Sequence, residues 1–524
     1  MKKIERALLS VYDKTGIVEF ARGLHQLGIE IISTGGTAKL LKDEGIPIVK
    51  ISDYTGFPEM LDGRVKTLHP KVHAGLLAVR NNTEHRKQMK KMGFDYIDLV
   101  AVNLYPFEQT ISKKDVTLEE AVENIDIGGP TMLRSAAKNF KDAAVIVNPS
   151  KYEIVLQELR ENKQILSEEL KMRLAVEVFQ TTSRYDALIA SYLKKISSAI
   201  PDSLPSEFSI FCSKRQNLRY GENPHQKAAF FEDKAFESSE PSVVGAKQLH
   251  GKELSFNNII DLNAAIEIVK EFEEPMAVVV KHTNPCGAAV SKDIYSAYLK
   301  ALETDPVSAF GSIIGLNREL DKKTADEISK LFIEAIVAPS FAEDALEVLK
   351  KKKNIRLIEI GKLNTWYQKK DMSGFDIKKV VGGILVQDRD TKGVTKKDLR
   401  IVTGKKPTDR QIEDLLFAWK IVKHVKSNAV VYVKGLHTIG IGAGQMSRVD
   451  SSKIAVMKAR KDLKGSVVAS DAFFPFRDGV DAAAEAGAIA IIQPGGSIRD
   501  QEVIDACNEH QISMVFTGIR HFKH

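Results

Sequence analysis

Residues 6–51 most constrain the fold. RALLSVY at 6–12 reads as a strand, and residues 15–27 place Ile17, Val18, Phe20, Ala21, Leu24 and Leu27 at helical spacing. Gly28 ends that helix. Ile29 to Ile32 form a second strand, and Ser33-Thr34-Gly35-Gly36-Thr37 leads into a helix from Ala38 to Glu44. Gly45 stops it, and Ile46 to Ile51 give a third strand. The order β-α-β-α-β implies a parallel sheet with right-handed crossovers, hence an α/β fold. In such sheets ligands bind beyond the carboxyl ends of the strands. Polar groups do follow the apolar runs here: the STGGT turn, then Arg64, Lys66, Thr67, His69 and His73, then Asn103 and Tyr105 after a strand-like run at 97–102. Asp126, and Arg134 and Lys138 on an expected helix, follow. Glycines at a helix start let backbone N–H groups approach an anion. STGGT is no P-loop, because no Gly-Lys-Ser/Thr follows, and a tight turn would use the same residues. His69 and His73 have a metal-like spacing, but Pro70 and the lack of HExxH favour anion binding by Arg64 and Lys66.

A second pattern lies far downstream. Met276 to Val280 read as a strand buried on both faces, and Lys281-His282 follow it before Thr283-Asn284-Pro285-Cys286-Gly287, expected to be an irregular loop. Imidazole suits proton transfer near neutral pH, and a neighbouring Lys can hold an anion or pass a proton. Alone, such a pair more often marks a surface lysine beside a hydrogen-bonded histidine.

The 524 residues exceed one ordinary core, so several domains are expected. A helix at 166–194 precedes a Ser/Pro-rich stretch from Ile196 to Ser206, which sets a domain boundary near residue 198. No apolar stretch approaches the roughly 18 residues of a membrane span. The short run from Ala7 to Tyr12 is broken by Asp13 and reads as no export signal. Cys212, Cys286 and Cys507 form no CxxC pair and fit a reducing cytosol. A net charge of +7 without a basic-aromatic stripe argues against nucleic acid and suits small anionic substrates.

The motifs SVYDKTG, STGGTAKLL, GFPEMLDGRVKTLHPKVHAG, NLYPF and DIGGPTMLRSAAKN closely resemble the inosine monophosphate (IMP) cyclohydrolase domain of the bifunctional purine-biosynthesis enzymes. In that family it is joined to an aminoimidazole carboxamide ribonucleotide (AICAR) transformylase. The resemblance implies a methylglyoxal-synthase-like, Rossmann-related domain over residues 1–198. Tyr12, Asp13, Lys14, Thr34, Gly35, Gly36, Thr37, Arg64 and Lys66 would hold the nucleotide, with Thr67, Asn103 and Ile127 as further contacts. Lys66, Tyr105, Asp126 and Lys138 would surround the reacting formyl and carboxamide groups, where the carboxamide nitrogen attacks the formyl carbon and water leaves.

Residues 199–524 carry LRYGENPHQ, the Lys281-His282 motif, SAFG, APSF, SNAVV, GIGAGQMSR, SDAFFPFRD, QPGGS and RHF, in the order of the family's transformylase half. The resemblance implies two cytidine-deaminase-like lobes without zinc, dividing near 370–385; segments 277–290 and 429–444 are faintly alike, as a duplication would leave them. It also implies 10-formyltetrahydrofolate as cosubstrate and a cytoplasmic homodimer with transformylase sites shared between subunits. His282 would be the general base. Lys281 would stabilise the oxyanion or protonate the departing folate nitrogen, and Asn428 would orient the formyl group or the substrate. Arg219, Tyr220 and Arg520 match nucleotide-binding positions; Arg448, Phe473, Asp478, Ser497 and Ile498 match folate-side positions. At least one of Phe473, Phe474 and Phe476 is expected to be core, and Ser312 stands where some relatives carry Asp. Three rivals fit less well. GIGAG is spaced GxGxG, not GxGxxG, against a dinucleotide enzyme. Pro285-Cys286 lacks the second Cys, since residue 289 is Ala, and no HxE accompanies it, against a zinc deaminase. A single-activity or regulatory effector-binding relative would leave one set of motifs unused.

Overall fold

The computed structural model describes residues 2–113, 115–197, 204, 207–233, 240–363 and 374–524. The chain forms two compact units, Met1–Phe211 and Cys212–His524. The expected boundary near residue 198 lies outside the described residues, as does part of the expected division at 370–385.

The first unit holds β1 (Arg6–Ser10), α1 (Ile17–Gln26), β2 (Glu30–Ser33), α2 (Gly35–Asp43) and β3 (Val49–Lys50), then α3 (Pro70–Leu77), β4 (Leu99–Val102), α4 (Gly128–Lys138), β5 (Ala144–Ile146) and the long helix α5 (Glu168–Ser197). The sheet order is β3-β2-β1-β4-β5, with every pairing parallel. The β-α-β-α-β reading therefore holds, with two adjustments. The third strand is shorter than the expected Ile46 to Ile51: only Val49 and Lys50 pair, and Ile51 opens a short helix that runs to Thr55. Gly35, Gly36 and Thr37 belong to the first turn of α2 rather than to a loop before it, and Thr34 is its cap residue. Gly35 sits at φ 46°, which a side chain would resist. Alternate residues of β1 and β2 face two apolar clusters, one on each side of the sheet. Burial of each such Leu or Ile stabilises by about 1.5–3 kcal/mol.

The second unit opens with the hairpin β6 (Cys212–Leu218) and β7 (Ala228–Asp233). Its first large sheet contains β8 (Lys247–His250), β9 (Met276–Lys281), β10 (Asn284–Val290), β11 (Ser312–Leu316), β12 (Ile333–Ala338) and β13 (Arg356–Glu359). After the hairpin β14 (Phe375–Val380) and β15 (Gly383–Asp388), a second sheet contains β16 (Arg400–Ile401), β17 (Val430–Val433), β18 (Thr438–Gly442), β19 (Val467–Ser470), β20 (Ala490–Gln493) and β21 (Ser513–Phe516).

The two sheets are copies of one plan. Their orders are β10-β9-β11-β12-β13-β8 and β18-β17-β19-β20-β21-β16. Pairing senses agree step by step: antiparallel, antiparallel, parallel, parallel, antiparallel. Each copy has a 14-residue helix before its hairpin, α6 (Phe256–Val269) or α8 (Asp409–Val422), started by a capping box at Ser255/Asn258 or Thr408/Gln411. Each hairpin is followed by an 11-residue helix, α7 (Ile294–Thr304) or α9 (Arg448–Lys458). Even a tight contact recurs: a Cβ on Gly287 would lie 1.9 Å from the Ala301 carbonyl, and one on Gly440 would lie 2.7 Å from that of Ala455. Residues of both sheets, α6 and α8 share one apolar core.

The expected irregular loop after Lys281 is instead strand β10. Asn284 pairs with Lys281 and Pro285 with Val280, with a bulge between Pro285 and Gly287. Pro is tolerated because β10 is an edge strand and the bulge relieves the ladder. Only His282 and Thr283 make the turn. The strand reading of Met276–Val280 holds, and all five residues are buried. Ser312 is buried at the start of β11.

Candidate functional sites

In the first unit the expected nucleotide-site residues gather beyond the carboxyl ends of β1, β2 and β4. The Asn103 Oδ1 accepts the backbone N–H groups of Tyr12 (2.5 Å) and Asp13 (2.9 Å), and its Nδ2 donates to the Asp13 carbonyl at 3.0 Å. One side chain after β4 thus fixes the loop after β1. Thr37 Oγ1 donates to the Val11 carbonyl (2.9 Å) and accepts from the Val11 N–H (3.0 Å), tying α2 to the same loop. Lys14 Nζ donates to the Val11 carbonyl, and to Thr37 Oγ1 at 3.1 Å. Thr34 Oγ1 and Ser10 Oγ are 2.9 Å apart. The Tyr12 and Tyr105 rings meet edge to face at 5.7 Å.

Lys66 stands over the start of α2: its Nζ is 3.6 Å from where a Cβ on Gly35 would lie. Thr67 Oγ1 lies 2.7 Å from the corresponding point at Gly128, the first residue of α4. Asp126 Oδ1 accepts the Gly129 N–H at 2.8 Å. Burial pushes the Asp126 carboxyl above the usual range, opposed by the N–H groups of Gly129 and Tyr105 and the charge of Lys66. Burial holds the Lys14 ammonium below its ordinary value; Asp13 opposes this and Lys66 adds to it. Two cations, Lys14 and Lys66, therefore stand at the glycine-started helix α2, with the half-buried Asp126 carboxyl near Lys66 and the Tyr105 phenol against Tyr12. Arg64 is exposed and paired with Glu123, and Ile127 is exposed just before α4. His69 Nδ1 accepts the Lys71 N–H as the cap of α3, and His73 Nδ1 lies 3.1 Å from Ser135 Oγ.

Lys138 is the residue not brought in. It ends α4, whose first turn carries Gly128 and Gly129. At 1.5 Å per residue it lies roughly 15 Å along the axis from Gly128. It is exposed there.

In the second unit a cleft of about 510 Å³ is lined by Asn428, Arg448, Phe473, Asp478 and Arg520, with Met446, Phe476 and Phe522 among its other walls. These five were singled out from the sequence. Phe474 supplies the expected core phenylalanine, while Phe476 is exposed. The Arg520 guanidinium lies 4.3 Å over the Phe522 ring. Arg448 is almost fully buried: it pairs with Asp471, donates to Ser470 Oγ at 2.8 Å and holds Asn428 Oδ1 at 2.8 Å. Asn428 Nδ2 donates to the carbonyls of Gln445 (3.0 Å) and Met446 (3.2 Å). The Asn428 amide is thus locked, with one Oδ1 lone pair left for a substrate. Arg448→Met should strand the buried Asp471 charge and lower unfolding free energy by about 3–5 kcal/mol in urea titrations.

Lys281 and His282 close the β9–β10 hairpin. His282 (φ 51°) and Thr283 (φ 62°) both take positive φ, as the two-residue turn that suits strand twist requires. For a residue with a side chain such backbone costs about 1–3 kcal/mol, and it clusters at functional sites. The His282 ring is exposed, and Lys281 Nζ donates to the Phe310 carbonyl of the SAFG motif at 2.8 Å. Asn284 ties the turn to the second copy: its Nδ2 donates to the His282 carbonyl (3.1 Å), and its Oδ1 accepts the N–H of Lys426 (2.8 Å), two residues before Asn428. Cys286 lies in the bulge, its thiol pushed up to about 12 chiefly by burial.

Arg219 and Tyr220 follow β6, with the guanidinium 5.6 Å over the ring, and do not line the cleft. Neither do Ser497 and the fully exposed Ile498, which lie after β20. Two carboxylates escaped the sequence reading. Asp471, directly after β19, pairs with Arg448 and accepts from Ser427 Oγ. Asp261, on α6, accepts the Thr283 N–H at 2.6 Å. An acid inside an apolar helix, repeated at Asp414 in the second copy, was the signal for the latter.

Both halves match family models. The AICARFT/IMPCHase bienzyme model matches residues 136–458, more than half of the chain, and the MGS-like domain model matches residues 16–131. The chain belongs to the AICARFT/IMPCHase bienzyme family. Among its relatives are proteins named "Bifunctional purine biosynthesis protein PurH". The one from Acetivibrio thermocellus is 57% identical over 99% of this chain and 100% of its own length. That from Ruminiclostridium cellulolyticum is 58% identical with the same coverage, and that from Bacillus cereus strain AH820 is 54% identical over 100% of both chains.

Proposed function

We propose that this bifunctional AICAR transformylase and IMP cyclohydrolase divides its two reactions between its two compact units. The observation that carries the division is that each unit gathers its own set of motif residues, one around Lys66 and Asp126, the other around His282 and the Asn428 cleft.

In formyl transfer the 5-amino group of AICAR attacks the formyl carbon of 10-formyltetrahydrofolate. The amine is a poor nucleophile and must lose a proton, which the exposed His282 imidazole takes. Lys281 stabilises the tetrahedral oxyanion or protonates the departing folate nitrogen, and Asn428 offers its remaining lone pair to orient the substrate. Arg520 beside Phe473 and Phe522 suits an anionic substrate against a flat ring. In ring closure the carboxamide nitrogen of formyl-AICAR attacks its own formyl carbon and water is lost. The start of α2, Lys14, Lys66 and Arg64 hold the phosphate and base, while Tyr105, Asp126 and Lys66 move protons and balance the oxyanion. A single-activity reading would need one residue set to be missing, and both are present.

We place the enzyme in the cytoplasm as a homodimer, its second unit built of two deaminase-like lobes. No helix among the described residues is long and apolar enough to cross a membrane. In this reading the dimer gives Lys138 a role: at the far end of α4, roughly 15 Å along the helix from Gly128, it serves the ring-closure pocket of a second copy. Lys138→Ala and Lys66→Ala homodimers should each be inactive in ring closure. Subunit exchange between them should restore up to about a quarter of wild-type activity, if chains mix at random and each dimer keeps two independent sites. No recovery in mixed dimers would place Lys138 outside the site. For the function as a whole, AICAR and 10-formyltetrahydrofolate should yield tetrahydrofolate and IMP. Formation of neither product, with formyl-AICAR also left uncyclised, would overturn the assignment.

A further inference from the structure

We infer that Asp261 positions His282 for formyl transfer, an inference that rests on the assignment of His282 given above. The turn holding His282 is two residues long and wholly at positive φ, so its placement depends on what binds its backbone N–H groups. Asp261 does this from α6. Its Oδ1 accepts the Thr283 N–H at 2.6 Å, and the His282 N–H also supports the carboxylate. Burial raises the Asp261 pKa, while these N–H groups and the His282 ring lower it, so the carboxylate directly faces the turn.

The duplication reveals what the device is for. Asp261 lies six residues after the cap Ser255, and Asp414 lies six residues after the cap Thr408. In the second copy Asp414 Oδ2 accepts the Gly435 N–H at 2.9 Å, and Oδ1 accepts that of Leu436 at 2.7 Å. Gly435 (φ 64°) and Leu436 (φ 55°) repeat the backbone of His282 and Thr283. An acid on the preceding helix therefore clamps the same turn in both copies. In the second copy the clamped residues, Gly435 and Leu436, have no side chain able to move a proton. In the first copy His stands where the other has Gly, which accepts that conformation more readily. Clamp and turn are shared; the imidazole is what the first copy adds, and Asp261 keeps it on a backbone it would otherwise resist.

An amide can do the same work. Asn103 holds two consecutive N–H groups through one oxygen elsewhere in this chain. Asp261→Asn should therefore retain formyl-transfer kcat within about threefold, since only charge assistance is lost. Asp261→Ala should release the turn and lower that kcat roughly 100-fold, the cost of misplacing a reacting group by about 1 Å. Its KM for AICAR and its ring closure should stay at wild-type values. Asp414→Ala loses the equivalent bonds at the end of β17 remote from Asn428, and should keep the wild-type kcat per folded molecule. The readout is steady-state formyl transfer by full-length variants, with AICAR binding by calorimetry to show that the second unit is folded. If the Ala variant fails to bind AICAR, Asp261→Ser, too short to reach the turn, takes its place. Full kcat in Asp261→Ala or Asp261→Ser beside an inactive His282→Ala would overturn this inference. An equal kcat loss in Asp414→Ala and Asp261→Ala would do so as well. An active His282→Ala would instead overturn the His282 assignment.

Discussion

His282→Ala is expected to lower formyl-transfer kcat by roughly 10²–10⁴-fold, the usual contribution of a positioned general base, while ring closure of supplied formyl-AICAR continues. Three observations support so large an effect. The ring is exposed at the end of a buried strand, where substrate can reach it. Its backbone is at positive φ, where the duplicate turn has Gly435. The turn is also bonded through Asn284 to the segment that leads to Asn428 and the cleft. A surface histidine of purely structural value would use its ring to hold other groups. Here the backbone around His282 makes the hydrogen bonds, and the exposed ring makes none among the described residues. Formyl transfer is read by tetrahydrofolate release, and ring closure by IMP formation from formyl-AICAR.

The converse holds for the first unit. Lys66→Ala should cut ring closure by roughly 10²-fold or more if, as proposed, its ammonium both holds phosphate and balances the oxyanion, and should leave formyl transfer intact. Asp126→Asn should cut ring closure by a similar factor through loss of proton transfer. It should also change stability in an informative direction. Burial raises the Asp126 pKa, so the folded chain holds that proton more tightly than the unfolded chain. The stability this confers is present at low pH and is lost as pH rises through the raised pKa. The Asn side chain carries no such penalty and still accepts the Gly129 N–H. Relative to wild type, the variant should gain thermal stability as the pH is raised from acid to neutral. A variant that is less stable at neutral pH than in acid, relative to wild type, would contradict the buried-carboxyl account.

Much of this was legible in the chain because the signals are local. Hydrophobic periodicity marks β1 to β3 with α1 and α2 between them, and parallel pairing follows from their order. Thr34, Gly35 and Asn103 each follow or cap an element whose end the pattern locates, so their convergence follows from topology, whereas Lys66 and Asp126 lie in long connections whose path the pattern leaves open. The β9–β10 hairpin was misread because Pro285 and Gly287 usually break strands. An edge position and a bulge absorb both, and neither is visible to a local pattern. Asp261 and Asp471 were missed because each is an acid beside apolar residues whose partner lies well away along the chain. The duplication showed in sequence only as a faint likeness of 277–290 to 429–444. It becomes plain in strand order and pairing sense, which tolerate complete exchange of side chains.

The most direct test of the two-site account is to mix His282→Ala and Lys66→Ala proteins and follow AICAR to IMP. Each alone should form IMP from AICAR and 10-formyltetrahydrofolate at least roughly 100-fold more slowly than the wild type. Together they should restore IMP formation, because Lys66→Ala releases formyl-AICAR that His282→Ala then closes. Failure of the mixture to form IMP, with both proteins folded and formyl-AICAR accumulating, would contradict the division of the two reactions between the two units.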